Sequence, residues 1–260
     1  MKVNRSSTWR RLLLIATVFA LVAAACTSDG ADPTTTTAAG GGGETTTTQG
    51  SGDSTVPSGG EDEIVLQAVM SEEATDLHPL TTGQQGKGHV FQAIFMPLLE
   101  TDNEKQIISR LLESWEMSED AQTATLVLRD DIEWNDGEQL TAEDVYMSLT
   151  MYLDANISNR AARIGGVLGQ QDFIDGNADT IEGLTIVDDF TVTVDLENPD
   201  AAWLPNIAAQ AEDLPILPHH VLGDVPHSEM LDHEYFRTYP VSSGPYQLVE
   251  FVDGQYAEFV

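Results

Sequence analysis

The chain has 260 residues, of which 11 are basic and 43 acidic, and its formal net charge at pH 7 is −32. So acidic a balance argues against nucleic acid or anionic lipid as a partner of the globular part. It leaves a cationic ligand open, although a diffuse and solvated acidic surface is the simpler explanation of the composition.

The N-terminus has the three-part layout of a secretory signal. An apolar run over residues 12–22 ends in three alanines directly before Cys26. The apolar run is too short for a comfortable membrane span, so the pattern predicts a signal peptide over residues 1–25. The basic segment that precedes the run contains Lys2, Arg5, Arg10 and Arg11.

Cys26 is the only cysteine of the chain, so an internal disulfide is impossible. The residues around it resemble a bacterial lipobox, which implies cleavage before Cys26 and a diacylglycerol group on its thiol. A chance buried cysteine in an uncleaved anchor is the alternative. Removal of residues 1–25 would leave 7 basic and 43 acidic residues, a net charge of −36.

The composition of residues 26–62 predicts a flexible tether that begins at the cysteine expected to carry the lipid. The segment is rich in Thr, Gly, Ser and Ala, with almost no large apolar side chain. Such a composition cannot bury enough apolar surface to offset the entropy of ordering. A tether of this length reaches roughly 30–36 Å, enough to hold a domain clear of a membrane.

Residues 63–260 are expected to form one globular region, because near 200 residues are enough to build a core. Its first half begins with an apolar strand over Ile64–Met70 and a helix over Gly88–Leu99 that is stopped at Pro97. Alternating apolar residues then indicate a strand around Thr125–Arg129, and Asn135-Asp136-Gly137 is a strong turn signal. A near capping box at Thr141 and Asp144 starts the next helix.

The second half of the globular region alternates strands and helices irregularly, without an internal repeat. This irregular alternation indicates the α/β class, with a mixed sheet. The predicted elements are a hairpin of residues 184–187 and 191–196, a short helix over 199–210, an extended segment at 215–218 and a strand at 249–252.

Several separated blocks resemble the family 5 extracellular solute-binding proteins, the peptide and nickel receptors of bacterial ABC importers. The most specific block lies at residues 111–149, where Leu-x-Ser-Trp, Leu-Arg-x-x-x-x-Trp-x-Asp-Gly and Leu-Thr-Ala-Glu-Asp-Val follow one another. Five further blocks keep the family's order. They are residues 76–79, with His78 where an acid is usual, and residues 94–100, 187–192, 217–222 and 243–246.

The resemblance implies a periplasmic-binding-protein-like lobe of type II, similar to cluster C, without the second lobe. Family members are typically about twice as long and close two lobes on the ligand, and the Gly-Pro-Tyr loop precedes the crossing into the second lobe. The sequence stops at Val260 in what resembles a strand. We therefore expect weak or no ligand affinity in a chain limited to these residues.

The resemblance places two segments toward the ligand. The loop Thr81–Gln85 contains Thr82, Gly83 and Gln84, whose small and amide groups could bind an extended peptide backbone. A plain surface loop is an equally good reading. The second segment supplies Gln210, Glu212 and Asp213, and either acid could pair with a ligand amine or simply be solvated.

The most recognisable residues, by contrast, predict structure and not a site. Trp134 can pack, Asp136-Gly137 can form the turn, and Thr141 with Asp144 can satisfy amides at a helix N-terminus.

No catalytic or metal-binding pattern emerges. The histidines between residues 219 and 233 lack metal-ligand spacing. A Gly-x-Ser-x-Gly elbow, a His-Glu-x-x-His motif and a phosphate-binding glycine loop are also missing. We therefore expect neither enzyme activity nor a cofactor.

The function that the resemblance implies is capture of an oligopeptide or other small solute for an ABC permease. The protein would be held at the outer side of the cell membrane by the acyl chains on Cys26. The alternative is a surface sensor or scaffold lipoprotein that uses the same fold without transport.

Overall fold

The computed structural model describes residues 77–81 and 85–260, with the side chains of residues 85 and 86 left out. The predicted signal peptide, Cys26, the tether and the strand over Ile64–Met70 lie outside the described residues.

Among the described residues the largest sheet has four strands, and it follows a two-stranded ribbon of β1 (Glu100–Thr101) and β2 (Ile107–Ile108). Its spatial order is β3-β4-β6-β5, and every neighbouring pair is antiparallel. The four strands are β3 (Leu112–Met117), β4 (Thr123–Leu128), β5 (Leu184–Asp188) and β6 (Thr191–Asp195).

The sheet buries one face against a helix, as the alternating sequence pattern predicts. In β4 the buried residues are Ala124, Leu126 and Leu128, and in β6 they are Val192 and Val194. Successive side chains of a strand point to opposite faces, so these five residues share one apolar face. Helix α2 (Ala142–Leu153) packs there and contacts both β5 and β6.

Helix α1 (Gln85–Ile94) comes first in the chain, and it differs from the predicted helix over residues 88–99. It begins three residues earlier and ends before Pro97, which forms an antiparallel bridge with Pro215. A proline breaks helical hydrogen bonding, and the residues before it favour extended backbone, which accounts for the early end.

The remaining helices are short. They are α3 (Ala161–Ile164), α4 (Gln170–Ile174), α5 (Trp203–Ala208), α6 (His219–Leu222), α7 (His227–Met230) and α8 (Tyr235–Thr238), with a 3₁₀ turn at Ala211–Asp213. Helix α5 tolerates Pro205 because that residue lies in the first turn, where amides have no partner inside the helix.

An aromatic cluster joins α1 to α8. Phe91 and Phe95 of α1 meet the ring of Tyr239 edge-on, at centroid distances of 5.7 and 5.6 Å. The hydroxyl of Tyr239 donates to the carbonyl of Leu77, so this ring also holds the segment before α1. Edge-to-face pairs add to the free energy gained by burial alone.

The chain then passes through residues 243–246 and ends in a hairpin of β7 (Leu248–Val252) and β8 (Tyr256–Phe259). The α/β class is confirmed, and every sheet among the described residues is antiparallel. In the same part of the chain, no helix is both long enough and apolar enough to cross a membrane.

Candidate ligand-binding site

The first predicted ligand segment is described only at its ends. Thr82, Gly83 and Gln84 lie outside the described residues, and Gln85 is the first residue of α1. On the other side, Thr81 Oγ1 donates to the carbonyl of His78 at 3.1 Å.

A buried lysine ties this segment to the helix. Lys87 has no exposed surface, and its Nζ donates to the carbonyl oxygens of His78 at 2.7 Å and Thr81 at 3.4 Å. A buried ammonium group is costly unless acceptors surround it, so these bonds fix the path of the chain into α1. The sequence analysis did not single out Lys87.

His78, which replaces the acid usual in the family, is also structural. Its Nδ1 lies 3.2 Å from the amide nitrogen of Leu80, and its Nε2 lies 3.2 Å from the carbonyl oxygen of Met230. The ring also packs on Phe236 at a centroid distance of 4.1 Å. The first nitrogen accepts the amide proton, so the second carries the hydrogen that points to Met230.

The second predicted segment lies directly against α1. Gln92 Nε2 donates to Glu212 Oε1 at 2.9 Å, across 120 residues of sequence. Glu212 also lies over Gly88: a Cβ at that position would be 2.8 Å from Oε2 and 2.9 Å from Cβ of Glu212. Only glycine allows this approach. The structure thus brings residues 210–213 beside the helix that follows the predicted loop.

Asp213 points in a different direction from its neighbour. Its Oδ1 accepts from Arg160 at 2.9 Å, and its Oδ2 lies 3.9 Å from Arg163. The Arg160 side chain is only 2% exposed, whereas that of Arg163 is 62% exposed. A buried guanidinium needs a carboxylate partner, so Asp213 serves the interior of the protein.

Gln210 ends the turn that leads into this segment. Its Nε2 donates to the carbonyl of Asn206 at 3.1 Å, one helical turn earlier. Its Oε1 is buried, and no donor among the described residues reaches it.

The family-specific motif residues build structure, as the sequence predicts. Trp134 is 2% exposed, and Gly137 adopts a φ of 92° in the turn. Thr141 and Asp144 form the capping box of α2.

Three histidines of the C-terminal half pair with separate carboxylates. The described residues include no group of three or more His, Cys, Asp or Glu side chains placed to hold a metal ion. The pairs are His219–Glu143 at 3.3 Å, His220–Asp136 at 2.9 Å and His227–Asp154 at 3.2 Å.

Sequence reasoning missed Lys87 and Arg160, two basic residues that are buried in the described part of the chain. The sequence did contain a signal that basic residues are worth attention, because the chain has only 11 of them against 43 acidic residues. Position alone does not reveal which basic residues are buried.

Comparison with known proteins finds a matching protein family and several relatives. The model of the bacterial extracellular solute-binding proteins, family 5 Middle, matches residues 106–260. The oligopeptide-binding protein AppA of Bacillus subtilis (strain 168) is 24% identical over 212 residues, which cover 80% of this chain and 33% of AppA.

Two solved structures have similar folds. Haemophilus influenzae OppA, in complex with the peptide RPPGFSPFR, is 26% identical, with a TM-score of 0.59 over 72% of this chain and 36% of OppA. The Escherichia coli murein tripeptide binding protein MppA is 25% identical, with a TM-score of 0.61 over 74% of this chain and 36% of MppA. The chain spans about a third of the length of these relatives.

Proposed function

Because the chain belongs to the bacterial extracellular solute-binding proteins of family 5, a family of binding proteins and not of enzymes, we propose that it takes part in peptide import. In this role it captures an oligopeptide outside the membrane and delivers it to an ABC permease. The observation that carries the proposal is the family match over residues 106–260. The names of relatives such as the oligopeptide-binding protein AppA support a peptide as the solute.

The proposed ligand surface consists of the loop before α1 and the segment after α5. The loop offers Thr82, Gly83, Gln84 and Gln85, and the second segment offers Gln210 and Glu212. The contact of Glu212 with Gly88 and Gln92 supports a shared surface, because it holds the second segment beside α1. We give Asp213 a supporting role, since its carboxylate already pairs with Arg160.

The proposed layout has a signal peptide at 1–25, a lipidated tether at 26–62 and the lobe at 63–260. Ligand capture in this arrangement is a matter of binding and hinge closure, with no covalent step. The chain covers about a third of the length of its relatives. Closure around a ligand is therefore proposed for the whole protein.

Peptide uptake by cells tests the import role. Deleting the gene should abolish most uptake of labelled tripeptides and longer peptides, and restoring the gene should recover it. A sensor or scaffold role predicts unchanged uptake in the deletion strain, and that result would overturn the import proposal.

Membrane attachment tests the proposed anchor separately. The substitution Cys26→Ser removes the thiol that would carry the lipid, so it should abolish labelling by radioactive palmitate and release the protein from the membrane fraction. Thr27→Ser, a conservative change at the next position, is the matched control and should keep both the label and the attachment. Equal palmitate labelling of the Cys26→Ser and Thr27→Ser variants would contradict the anchor.

A further inference from the structure

Three Asp-Gly pairs lie among the described residues, and each is a chemically weak point of the backbone. They are Asp136-Gly137, Asp175-Gly176 and Asp253-Gly254. Because glycine has no Cβ, its amide nitrogen can approach the side-chain carboxyl of the aspartate before it. In all three pairs both residues are exposed, and the glycine φ values are 92°, 72° and 63°. Exposure and glycine conformation therefore do not distinguish one pair from another.

Hydrogen bonds hold both reactive groups of the first pair. The amide of Gly137 donates to the carbonyl of Trp134 at 2.9 Å. The carboxylate of Asp136 lies 2.9 Å from His220 Nε2 and accepts the amide of Glu138 at 3.2 Å. The nitrogen of Gly137 and the carboxyl carbon of Asp136 cannot meet unless these bonds break.

The second pair is held in the same way at the end of α4. The amide of Gly176 donates to the carbonyl of Phe173 at 3.0 Å. Asp175 Oδ1 accepts from Gln171 Nε2 at 2.9 Å, one helical turn earlier. Here too, one hydrogen bond restrains the nitrogen and another restrains the carboxylate.

The third pair lacks both restraints. It lies at the tip of the hairpin of β7 and β8, in a turn that the amide of Gln255 closes by donating to the carbonyl of Val252 at 2.9 Å. In the part of the chain that the structure describes, the amide of Gly254 donates to no protein group and the carboxylate of Asp253 accepts from none. The nucleophile and the electrophile can therefore approach each other without breaking a hydrogen bond.

We propose that Asp253 is a site of spontaneous isoaspartate formation in the folded protein. The nitrogen of Gly254 forms a bond to Cγ of the protonated Asp253 carboxyl. The C–O bond to the hydroxyl group breaks, and that hydroxyl leaves as water with the amide proton, which gives a succinimide ring. A water molecule then opens the ring at the backbone carbonyl carbon of Asp253 and leaves Gly254 attached through Cγ. The reaction needs no catalyst or redox partner, and it is independent of the proposed function.

The modification should loosen the C-terminal hairpin. Isoaspartate adds one carbon atom to the backbone, between strands whose register pairs Val252 with Tyr256 and Phe251 with Ala257. The turn of a hairpin sets this register, so a longer turn disturbs it. Phe251 and Phe259 pack against the core from these strands, and their contacts depend on the same register.

Ageing of the full chain in warm, neutral buffer tests the proposal. Electron-transfer mass spectrometry of the peptides distinguishes isoaspartate from aspartate by its fragment ions. We expect about tenfold more isoaspartate at Asp253 than at Asp136 or Asp175, because reaction at the latter two sites requires two hydrogen bonds to break. In concentrated urea the three pairs should react at similar rates, because the folded-state hydrogen bonds are then absent.

Two variants and a matched control locate the effect. Asp253→Glu keeps the charge but lengthens the side chain, so the five-membered ring cannot form and the product at this site should disappear. Gln171→Ala removes the donor to Asp175 and should raise the yield at Asp175 about twofold to tenfold. Gln106→Ala, at an exposed residue bonded to the loop between β1 and β2, should leave all three yields unchanged.

Each other outcome counts against the proposal. Equal yields at the three pairs in the folded protein would show that the hydrogen bonds do not protect Asp136 and Asp175. An unmodified Asp253 in the folded protein would exclude the reaction there, whether or not the urea sample reacts. If Gln171→Ala and Gln106→Ala raise the yield at Asp175 equally, the protection does not come from the bond to Gln171.

Discussion

Asp144 shows how much one side chain can contribute to the fold. Its Oδ2 accepts the amide of Thr141 at 2.7 Å, and its Oδ1 accepts the amide of His219 at 2.6 Å. The residue is 3% exposed. Burial raises the pKa of its carboxyl, and the two amide bonds oppose that shift. One carboxylate therefore caps α2 and also fixes the start of α6.

Replacing this carboxylate with an amide should destabilise the protein. Asp144→Asn leaves a single acceptor oxygen for two partly buried amides, so we expect a loss of about 1–3 kcal/mol in the free energy of unfolding. Urea denaturation measures the loss. Glu143→Gln is the control, because that side chain is 63% exposed, and its change should stay below about 0.5 kcal/mol. Identical urea midpoints for Asp144→Asn and Glu143→Gln would refute the double role.

Asp136 gives the protein an acid-sensitive contact. Burial acts to raise the pKa of this carboxyl, but hydrogen bonds from His220 and from the amide of Glu138 outweigh it, so the pKa lies below the usual 3.8. The folded-state pKa is lower than the unfolded one, so the stabilisation is complete above pH 3.8 and is lost as the pH falls through the folded-state value.

Removing this titration should flatten the acid side of the stability profile. We expect Asp136→Asn to lose less stability than the unsubstituted protein between about pH 5 and about pH 2. Urea midpoints at several pH values provide the measurement. Asp253→Asn, at an exposed turn between β7 and β8, should keep the original slope. A slope unchanged by Asp136→Asn would rule out this contribution.

At the scale of elements, the loop at residues 243–246 holds the end of α1. The amide of Gly244 donates to the carbonyl of Ile94 at 2.8 Å, and that of Tyr246 donates to Ala93 at 3.2 Å. Ser243 Oγ accepts the amide of Met96 at 3.1 Å. The last carbonyls of a helix have no partner inside it, so this loop supplies the donors they lack.

A side chain at position 244 should separate the loop from the helix. A Cβ there would lie 2.4 Å from the backbone carbon of Ile94, and a backbone atom cannot move aside as a flexible side chain can. We expect Gly244→Ala to lower the free energy of unfolding by about 1–3 kcal/mol. Tyr246→Phe is the control, because its ring is 51% exposed. Thermal denaturation measures both, and a Gly244→Ala variant as stable as Tyr246→Phe would contradict the close approach.

At the scale of the whole molecule, Arg160 and Asp213 connect segments 53 residues apart. Losing one partner of a buried ion pair costs about 3–5 kcal/mol, and less is expected here because the Asp213 side chain keeps 24% exposure. Arg160→Met and Asp213→Asn should each destabilise the protein, since each leaves the other group without its partner.

A double-mutant cycle tests this connection. The variant with both substitutions should lose less stability than the two single losses combined, because no unpaired charge remains. Urea denaturation of the four proteins gives the coupling energy. Arg163→Gln is the control and should change little, since Arg163 is 3.9 Å from the same carboxylate and largely exposed. Strictly additive losses would show that the pair does not hold the two segments together.

Local pattern predicted much of this fold. The strand predicted around Thr125–Arg129 is confirmed, with observed bounds of Thr123–Leu128, and so are the turn at Gly137 and the capping box at Thr141. The hairpin of β5 and β6 is confirmed as well. Each depends on residues close in sequence, where propensity and hydrogen bonding decide the structure. The helix predicted over residues 88–99 with a stop at Pro97 does end before that proline, at Ile94, and it begins three residues earlier than predicted.

The sequence by itself determined the family, the α/β class and the elements around residues 111–149, because these follow from local periodicity, turn residues and ordered motifs. Only the tertiary structure decided the roles of the two adjacent acids. Asp213 turns inward to Arg160, and Glu212 lies beside Gly88 and Gln92. Partners separated by 53 and 120 residues leave no local pattern. Which acid is neutralised depends on where folding places the few basic side chains, and that placement is set by packing across the whole lobe.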